Sequence, residues 1–549
     1  MAAVKIQNMG GTAPRISPPL LGPTYATVAE NVKLWSGEIK PIREPLRLND
    51  PVSPCGRIQT LYNIQSTWFT WCRDVDVVTG FTPNDLTGRF YYTGDGIPKV
   101  SNYSLATSGF PYPAQFFPLG IPAPFSTLAL NVISVGTAPD IRGYVYTYVT
   151  TFDEESAPSP VSAFANVGGD GVVDVTGFAP SPNPNVNRIR LYRTLTGQKA
   201  TEFLFVAEFP DTTALFTDAV NDNELVELLP SQGWIPPPGS LAGLNASPNG
   251  FLSGFVGNVL WYSEPYQPHA WPSEYQKILD YPIVATAWYG NNQVVMTTGF
   301  TYVVSGIDPR SLSVQRLPDP YPCVSKKSVV SSNNGVLYAA EAGIIFVGSG
   351  GLLVLTSAII DKDSWAQYNP RSIRAAVQEG RYYGFYDFLT QAPLDRLTGD
   401  LKGACVVFDY NDRANGVDQN DKFNIVTLTA SAVYADPVTP LHLVNREIFK
   451  FDSGAGYLPI KWYSKEFKFP YLVSLGAAKV WTAQRYAGYN VTFKLFSGGV
   501  LKYTHVVQNN EPFRLPRFYR NIPYILGVEG VADIQQLMVA TSIEDMTNE

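Results

Sequence analysis

Residues 251–272 read FLSGFVGNVLWYSEPYQPHAWP. Phe251 to Val256 is an apolar, β-prone run, Gly257-Asn258 is a two-residue turn, and Val259 to Ser263 is a second run. Glycine and asparagine tolerate the positive φ that tight turns require, so the two runs are predicted to pair as a β-hairpin. Pro265, Pro268 and Pro272 follow, around His269 and Trp271. Proline lacks an amide hydrogen and fixes φ, so this segment is neither helix nor central strand.

The same cycle of hairpin and stiff loop recurs. Further hairpin turns are predicted at Asn291-Asn292, Asn334-Gly335 and Glu379-Gly380, so that successive turns begin 34, 43 and 45 residues apart. An all-β period of about 40–50 residues is that of four-stranded propeller blades. Composition agrees. Charged residues are 16%, aromatics 13%, and glycine and proline number 45 and 44. Disorder would show high charge and few aromatics; this mixture suits short strands joined by many turns.

Other properties narrow the class. The net charge of −7 excludes a chain that is, as a whole, a polyanion binder. The four cysteines, Cys55, Cys72, Cys323 and Cys405, form no CxxC pair and are expected as free buried thiols. The first twenty residues contain no apolar run of signal-peptide length, so synthesis in the cytoplasm is expected. Ala342 to Ile360 carries no charge, but Gly348-Ser349-Gly350-Gly351 interrupts it. It is expected as a hairpin, and no membrane insertion is predicted.

Taken in order, residues 1–57 are expected as an N-terminal arm and strand. Residues 58–137 are read as the first part of the propeller and a proline-rich connection. Residues 138–230 form a compact unit of short strands: Gly143 to Phe152, Arg188 to Arg193, Phe203 to Phe209 and Thr213 to Asp218. Turn signals about every ten residues predict a two-sheet sandwich that resembles a fibronectin type III or immunoglobulin-like module. Residues 231–469 carry the main blades, and residues 470–549 a C-terminal β-domain with a hairpin turn at Ser497-Gly498-Gly499. Ile534 to Leu537 is the best short helix candidate.

Several of these pieces carry a family resemblance. LWYSEPYQPHAWP (260–272), the strand segment Asn31 to Pro41, YTYVT with EESAPS and LYRT in the inserted unit, WYSKEF (462–467) and FRLP (513–516) together resemble tail nozzle proteins of short-tailed, podovirus-type bacteriophages. The resemblance implies an all-β fold: a β-propeller with an inserted fibronectin/immunoglobulin-like sandwich and an additional C-terminal β-domain. It implies a non-enzymatic virion component, made in the host cytoplasm. Its copies would form a homo-oligomeric, sixfold ring below the tail adaptor, hold fibre or tip proteins, and continue the channel through which double-stranded DNA leaves.

The residues offer little that reads as chemistry. His269, His442 and His505 are far apart in sequence, and no HExxH, GxSxG or GxxxxGK[ST] occurs. His269 reads as a packed loop histidine, and Ser263, Glu264 and His269 make a triad only on paper. Asp153-Glu154-Glu155 reads as a solvated turn. Thr93-Gly94-Asp95-Gly96 is a plain Asp-Gly turn rather than an aspartate box. The stretch from Asp409 to Asp421 reads as a polar loop, since Arg413 occupies a ligand position and the terminal glutamate of a calcium loop is missing. Phe513 to Arg520 interleaves arginines with aromatics and reads as a strand and turn whose arginines suit a subunit contact. No catalytic, cofactor-binding or metal-binding residue is assigned. The rival readings are a propeller glycan hydrolase and a glycan-binding adhesin.

Overall fold

The computed structural model describes residues 3–83, 85–137, 140–194, 202–389, 402–410, 422–483, 489–516, 520–521 and 523–546. Among them helix is confined to Tyr103–Ala106, Lys362–Ala366 and short 3-10 turns; the rest of the regular structure is strand.

Seven sheets follow one another around an axis. The first is the hairpin Thr60–Ile64 and Thr67–Trp71. The second runs from Asp76–Thr79 outward to Phe117–Pro118, the third from Ala242–Ala246 to Lys277–Ile278, and the fourth from Ile283–Tyr289 to Ser313–Arg316. The fifth runs from Val330–Ser332 to Gly351–Val354, the sixth from Arg374–Gln378 to Phe423–Val426, and the seventh starts at Ala432–Tyr434. From Asp76–Thr79 to Ala432–Tyr434 the starting strands touch in sequence, and Ala432–Tyr434 touches Thr60–Ile64. The ring closes between the first two sheets, where Thr60 Oγ1 accepts the Val75 amide at 2.9 Å and donates to the Arg73 carbonyl at 2.9 Å. This is a propeller, and the sheets are its blades.

A separate apolar cluster fills each gap between neighbouring blades, and that explains the continuous hydrophobic runs. A strand presents alternate residues to opposite faces, and here both faces are covered. In Gly335–Ala340, Val336, Tyr338 and Ala340 pack towards the fourth blade, while Leu337 and Ala339 pack towards the sixth. In Gly403–Asp409, Val406 and Phe408 face the fifth blade, while Cys405 and Val407 face the seventh. The predicted hairpins are present. Leu252–Val256 pairs with Val259–Tyr262 through Gly257 at φ 61, and Gly343–Gly348 pairs with Gly351–Val354. Two turns sit one residue earlier than predicted, at Gly290-Asn291 and Asn333-Asn334. No described helix is long and apolar enough to cross a membrane.

The seventh blade is completed from the other end of the chain. Its fourth strand is Leu46–Arg47, paired with Ile448–Lys450, with Arg47 and Glu447 forming an ion pair beside it.

A two-sheet module interrupts the ring between the second and third blades. Ala129–Ser134, Val172–Thr176 and Leu215–Asp218 form one sheet; Tyr144–Thr150, Val186–Thr194 and Phe203–Pro210 form the other. One core, including Tyr144, Tyr146, Tyr148, Val173, Ile189 and Leu191, lies between them. The free edge of Tyr144–Thr150 is covered by three serines spaced three apart. Ser156, Ser159 and Ser162 donate their amides to the carbonyls of Tyr148, Tyr146 and Tyr144, each at 2.9 Å. Their Oγ atoms accept the amides of the same tyrosines at 2.9, 3.1 and 3.0 Å.

The termini build one further β-domain together. Ala3–Ile6 pairs with Ile534–Ala540, which pairs with Ala477–Thr482. A second layer comprises Ala26–Glu30, Ile460–Ser464, Tyr524–Val531, Asn490–Ser497 and Val500–Val506. Trp462, Phe493 and Leu526 are buried between the layers. Ala26–Glu30 also meets the sixth blade through a Glu30–Ile425 bridge, so nine strands run continuously from that blade into the terminal domain.

Four expectations are corrected. Residues 3–24 are no free arm: Ile6 and Met9 lie in the terminal core, and Gly11 sits so close to Phe423 that a Cβ would lie 2.4 Å from its carbonyl oxygen. Asn31 to Pro41 folds back on itself, with Val32–Lys33 paired to Lys40–Pro41, where a single extended strand was expected. Ile534 to Leu537 is strand, because its apolar residues pack into a sheet core that local propensity does not register. Cys55 and Cys72 form a disulfide, because the first-blade hairpin folds their 17-residue separation back to a Cα–Cα distance of 6.0 Å. Cys323 and Cys405 are buried free thiols, as expected.

Candidate functional site

A cavity of about 210 Å³ on the propeller axis gathers charged side chains from several blades. It lies among the starting strands, where the blades converge and side chains of several sheets meet. Gln59 and Thr60 come from the first blade, Asp74 and Asp76 from the second, Lys326 and Lys327 from the turn before the fifth, and Arg374 from the sixth.

Their charges are tied across the axis. Lys326 Nζ lies 2.8 Å from Asp76 Oδ2 and 3.5 Å from Asp74 Oδ2. Asp76 also accepts the Gly243 amide at 2.9 Å. Burial pushes the Asp76 carboxyl above the usual carboxylate range, against the pull of Lys326. Burial lowers Lys326, but the charges of Asp76 and Asp74 outweigh it and hold the ammonium above its ordinary value. Arg374 makes a forked contact to Asp387, at 2.6 and 3.1 Å, and Arg57 reaches the same carboxylate at 3.2 Å. Lys327 differs. Its Nζ donates to the Gln59 carbonyl at 2.5 Å and stands 3.9 Å from Asp74. Burial pulls it down to about 8; Asp74 opposes this, and Lys326, Arg374 and Arg57 reinforce it.

Asp74 and Asp76 are the two neighbouring carboxylates that glycan hydrolysis would call on. Both face Lys326, and in this arrangement they neutralise it and join the second blade to the fifth. The sequence held a clue to this site that the reading missed: in CRDVDVV (72–78), two aspartates two apart fall on one face of an extended chain. Their lysine partners lie about 250 residues away, beyond any local pattern.

The residues singled out by sequence lie elsewhere. Ser263 Oγ accepts the Leu252 amide at 2.8 Å, and Glu264 binds the Tyr275 hydroxyl and Arg310. His269 is buried against Trp234, and the hydrogen bonds of Ser263 and Glu264 go to other partners, so no triad is assembled. Burial lowers His269 to about 3.

Asp153-Glu154-Glu155 is only partly a solvated turn. Asp153, at φ 61, is exposed, but both glutamates are buried where the module docks on the propeller. Glu155 accepts from Thr147 Oγ1 and the Tyr192 hydroxyl, each at 2.7 Å, and pairs with Arg190. Glu154 lies 3.9 Å from Arg89 of the second blade, and burial raises it to about 7 despite that arginine.

Asp95 of the Asp-Gly turn pairs with Lys99. In the basic aromatic segment, Phe513–Arg514 is a strand beside Ala477–Thr482, and Phe513 stacks on His505; residues 517–519 lie outside the described residues. His442 packs on Trp68. Of the expected polar loop, Asp409 ends a strand, and residues 411–421 lie outside the described residues.

No protein-family model matches the chain, and no curated protein sequence matches it significantly. Among solved structures, it is similar to the N-terminal domain of Nup159 at 8% identity and a TM-score of 0.26, over 62% of this chain and 86% of that one. Hsv2 of Kluyvelomyces marxianus matches at 8% and 0.25, over 57% and 90%. An exo-beta-1,3-galactanase from Phanerochaete chrysosporium matches at 9% and 0.17, over 85% and 100%. Similarity at these scores supports no functional argument, and the assignment of a propeller rests on the strand topology alone.

Proposed function

We propose that the chain is a structural subunit of a short bacteriophage tail, the distal nozzle, which acts in the virion by shape rather than by bond breaking. In this reading the module is a fibronectin/immunoglobulin-like sandwich, and the terminal domain is the additional β-domain of that architecture. The observation that carries the reading is the insertion. The segments YTYVT, EESAPS and LYRT belong to one two-sheet module set between consecutive blades, which is the order the nozzle resemblance calls for. Phe125, Ile133 and Phe164 stand exposed on and beside this module, and exposed aromatic and aliphatic side chains suit contacts between subunits.

The subunits would close as a homo-oligomeric, sixfold ring, with interfaces well above about 1,000 Å². Adaptor proteins would sit above it, and fibre or tip proteins would attach to it. DNA passing through the bore must slide, so the bore would carry no basic grip, because neutralising phosphates gives tight, salt-dependent binding. Electron microscopy and mass photometry of purified protein test the reading. Six-membered rings with a central hole are expected; solitary 60.3 kDa particles under all conditions would overturn it.

A second reading has one observation in its favour, the Asp74 and Asp76 pair beside the axial cavity. It is glycan hydrolysis. Polysaccharide cleavage that disappears in Asp76→Asn would replace the structural reading.

A further inference from the structure

We infer that the cavity on the propeller axis is a binding site for one small oxyanion, a phosphate or carboxylate group, held by Lys327 and Arg374. This inference does not depend on the nozzle reading, since the axis of one propeller is distinct from the bore of a ring.

The first ground is charge balance. Among the described residues Lys326, Lys327 and Arg374 line the cavity with Asp74 and Asp76, and Arg57 joins Arg374 on Asp387, so that four linked cations meet three carboxylates. Asp387 serves two arginines, and Asp74 and Asp76 serve two lysines. At least one positive charge is left without a matching carboxylate.

The second ground is geometry. Lys327 is weakly paired: its nearest partner is a neutral carbonyl, and its ion-pair contact to Asp74 is 3.9 Å long. Arg374 is 5% exposed, and its Nε has no hydrogen-bond partner although both terminal nitrogens are engaged. A buried guanidinium N–H left unbonded is costly. Here it belongs to a residue that lines the cavity together with Lys327. A volume of about 210 Å³ is small for a drug-sized molecule but roomy for a phosphate or the carboxylate end of an acidic sugar. Such a group would meet charged donors in a partly desolvated site, where charge-assisted hydrogen bonds are strong.

The third ground is linkage. The like charges of Lys326, Arg374 and Arg57 help hold Lys327 low, at about 8. An incoming anion reverses that balance, so binding near pH 8 draws a proton onto Lys327.

The test is titration calorimetry of the full chain at pH 8 in low chloride, with inorganic phosphate and glucuronate as separate probes. Expected is saturable 1:1 binding with uptake of up to about half a proton, read from the dependence of the heat on buffer ionisation. Lys327→Gln should weaken binding at least tenfold, and Lys327→Arg should restore it. Tighter binding of phosphate assigns the site to phosphoryl groups; tighter binding of glucuronate assigns it to acidic sugars. The inference is overturned if neither probe saturates, if wild-type binding takes up no proton, or if Lys327→Gln binds as wild type does. The proton-uptake measurement needs no variant, so a folding defect in Lys327→Gln leaves the question decidable.

Discussion

Two buried groups at the junction of module and propeller make its stability depend on pH in opposite senses. Glu154 has a folded value of about 7 against an ordinary 4.5, so the folded state holds the proton more tightly. Its contribution is fully present below about 4.5 and is lost as pH rises through about 7, on the order of 3 kcal/mol in all. His269 is depressed to about 3 from 6.5, so its contribution is present above 6.5 and is lost as pH falls towards 3. The junction should be firmest between about pH 4.5 and 6.5. Glu154→Gln is expected to stabilise the protein at pH 8 and to change little at pH 4.5, measured by urea unfolding at both. A difference between variant and wild type that stays constant with pH would show that Glu154 is not protonated on folding. The packed state of His269 was legible in its proline-flanked, aromatic setting. The burial of Glu154 and Glu155 was not, because an acidic triplet before prolines looks solvated until the surface it docks against is known.

Among the elements, the serine-capped edge is the most exposed to test. Each Oγ takes one strand amide, so Ser159→Ala leaves the Tyr146 N–H buried without an acceptor. A loss of about 1–3 kcal/mol is expected, with faster hydrogen exchange at that amide; unchanged exchange would show that another acceptor replaces it. The first-blade hairpin invites a second test. The Cys55–Cys72 bond closes a short loop, and replacing both cysteines with serine should cost about 3 kcal/mol by freeing the unfolded chain. Equal thermal stability under oxidising and reducing conditions would contradict this. Most blade hairpins were legible because Gly-Asn and Glu-Gly turns announce themselves locally, as at Gly257 and Gly380. The disulfide was not, because 17 residues of separation say nothing until the hairpin between them is in register. The strand at Ile534 was mistaken for helix because its pattern becomes meaningful only beside Ala477–Thr482 and Ala3–Ile6.

For the whole molecule, the decisive contacts join the two ends of the chain. A chain beginning at residue 49 lacks Leu46–Arg47, which leaves the seventh blade one strand short, and lacks Ala3–Ile6 and Ala26–Glu30, which takes a strand from each layer of the terminal domain. Limited proteolysis is expected to cut it first near residues 432–450, and its unfolding should lose cooperativity; a single transition at the wild-type temperature would show that these strands are dispensable. Repetition of hairpins made the propeller legible, but ring closure and the axial charges were not, since the partners Lys326 and Asp76, or Arg47 and Glu447, stand hundreds of residues apart. That separation also governs how the molecule comes into being. The seat for residues 46–47 does not exist until residue 450 has left the ribosome, and the seat for residues 3–6 waits for residue 540. At about 5–20 residues per second, the leading segment trails unpaired for tens of seconds. During that interval its edge is open to any nascent neighbour, so the yield of correctly made protein should fall when translation is crowded and rise when elongation and growth temperature are adjusted to keep neighbouring chains apart.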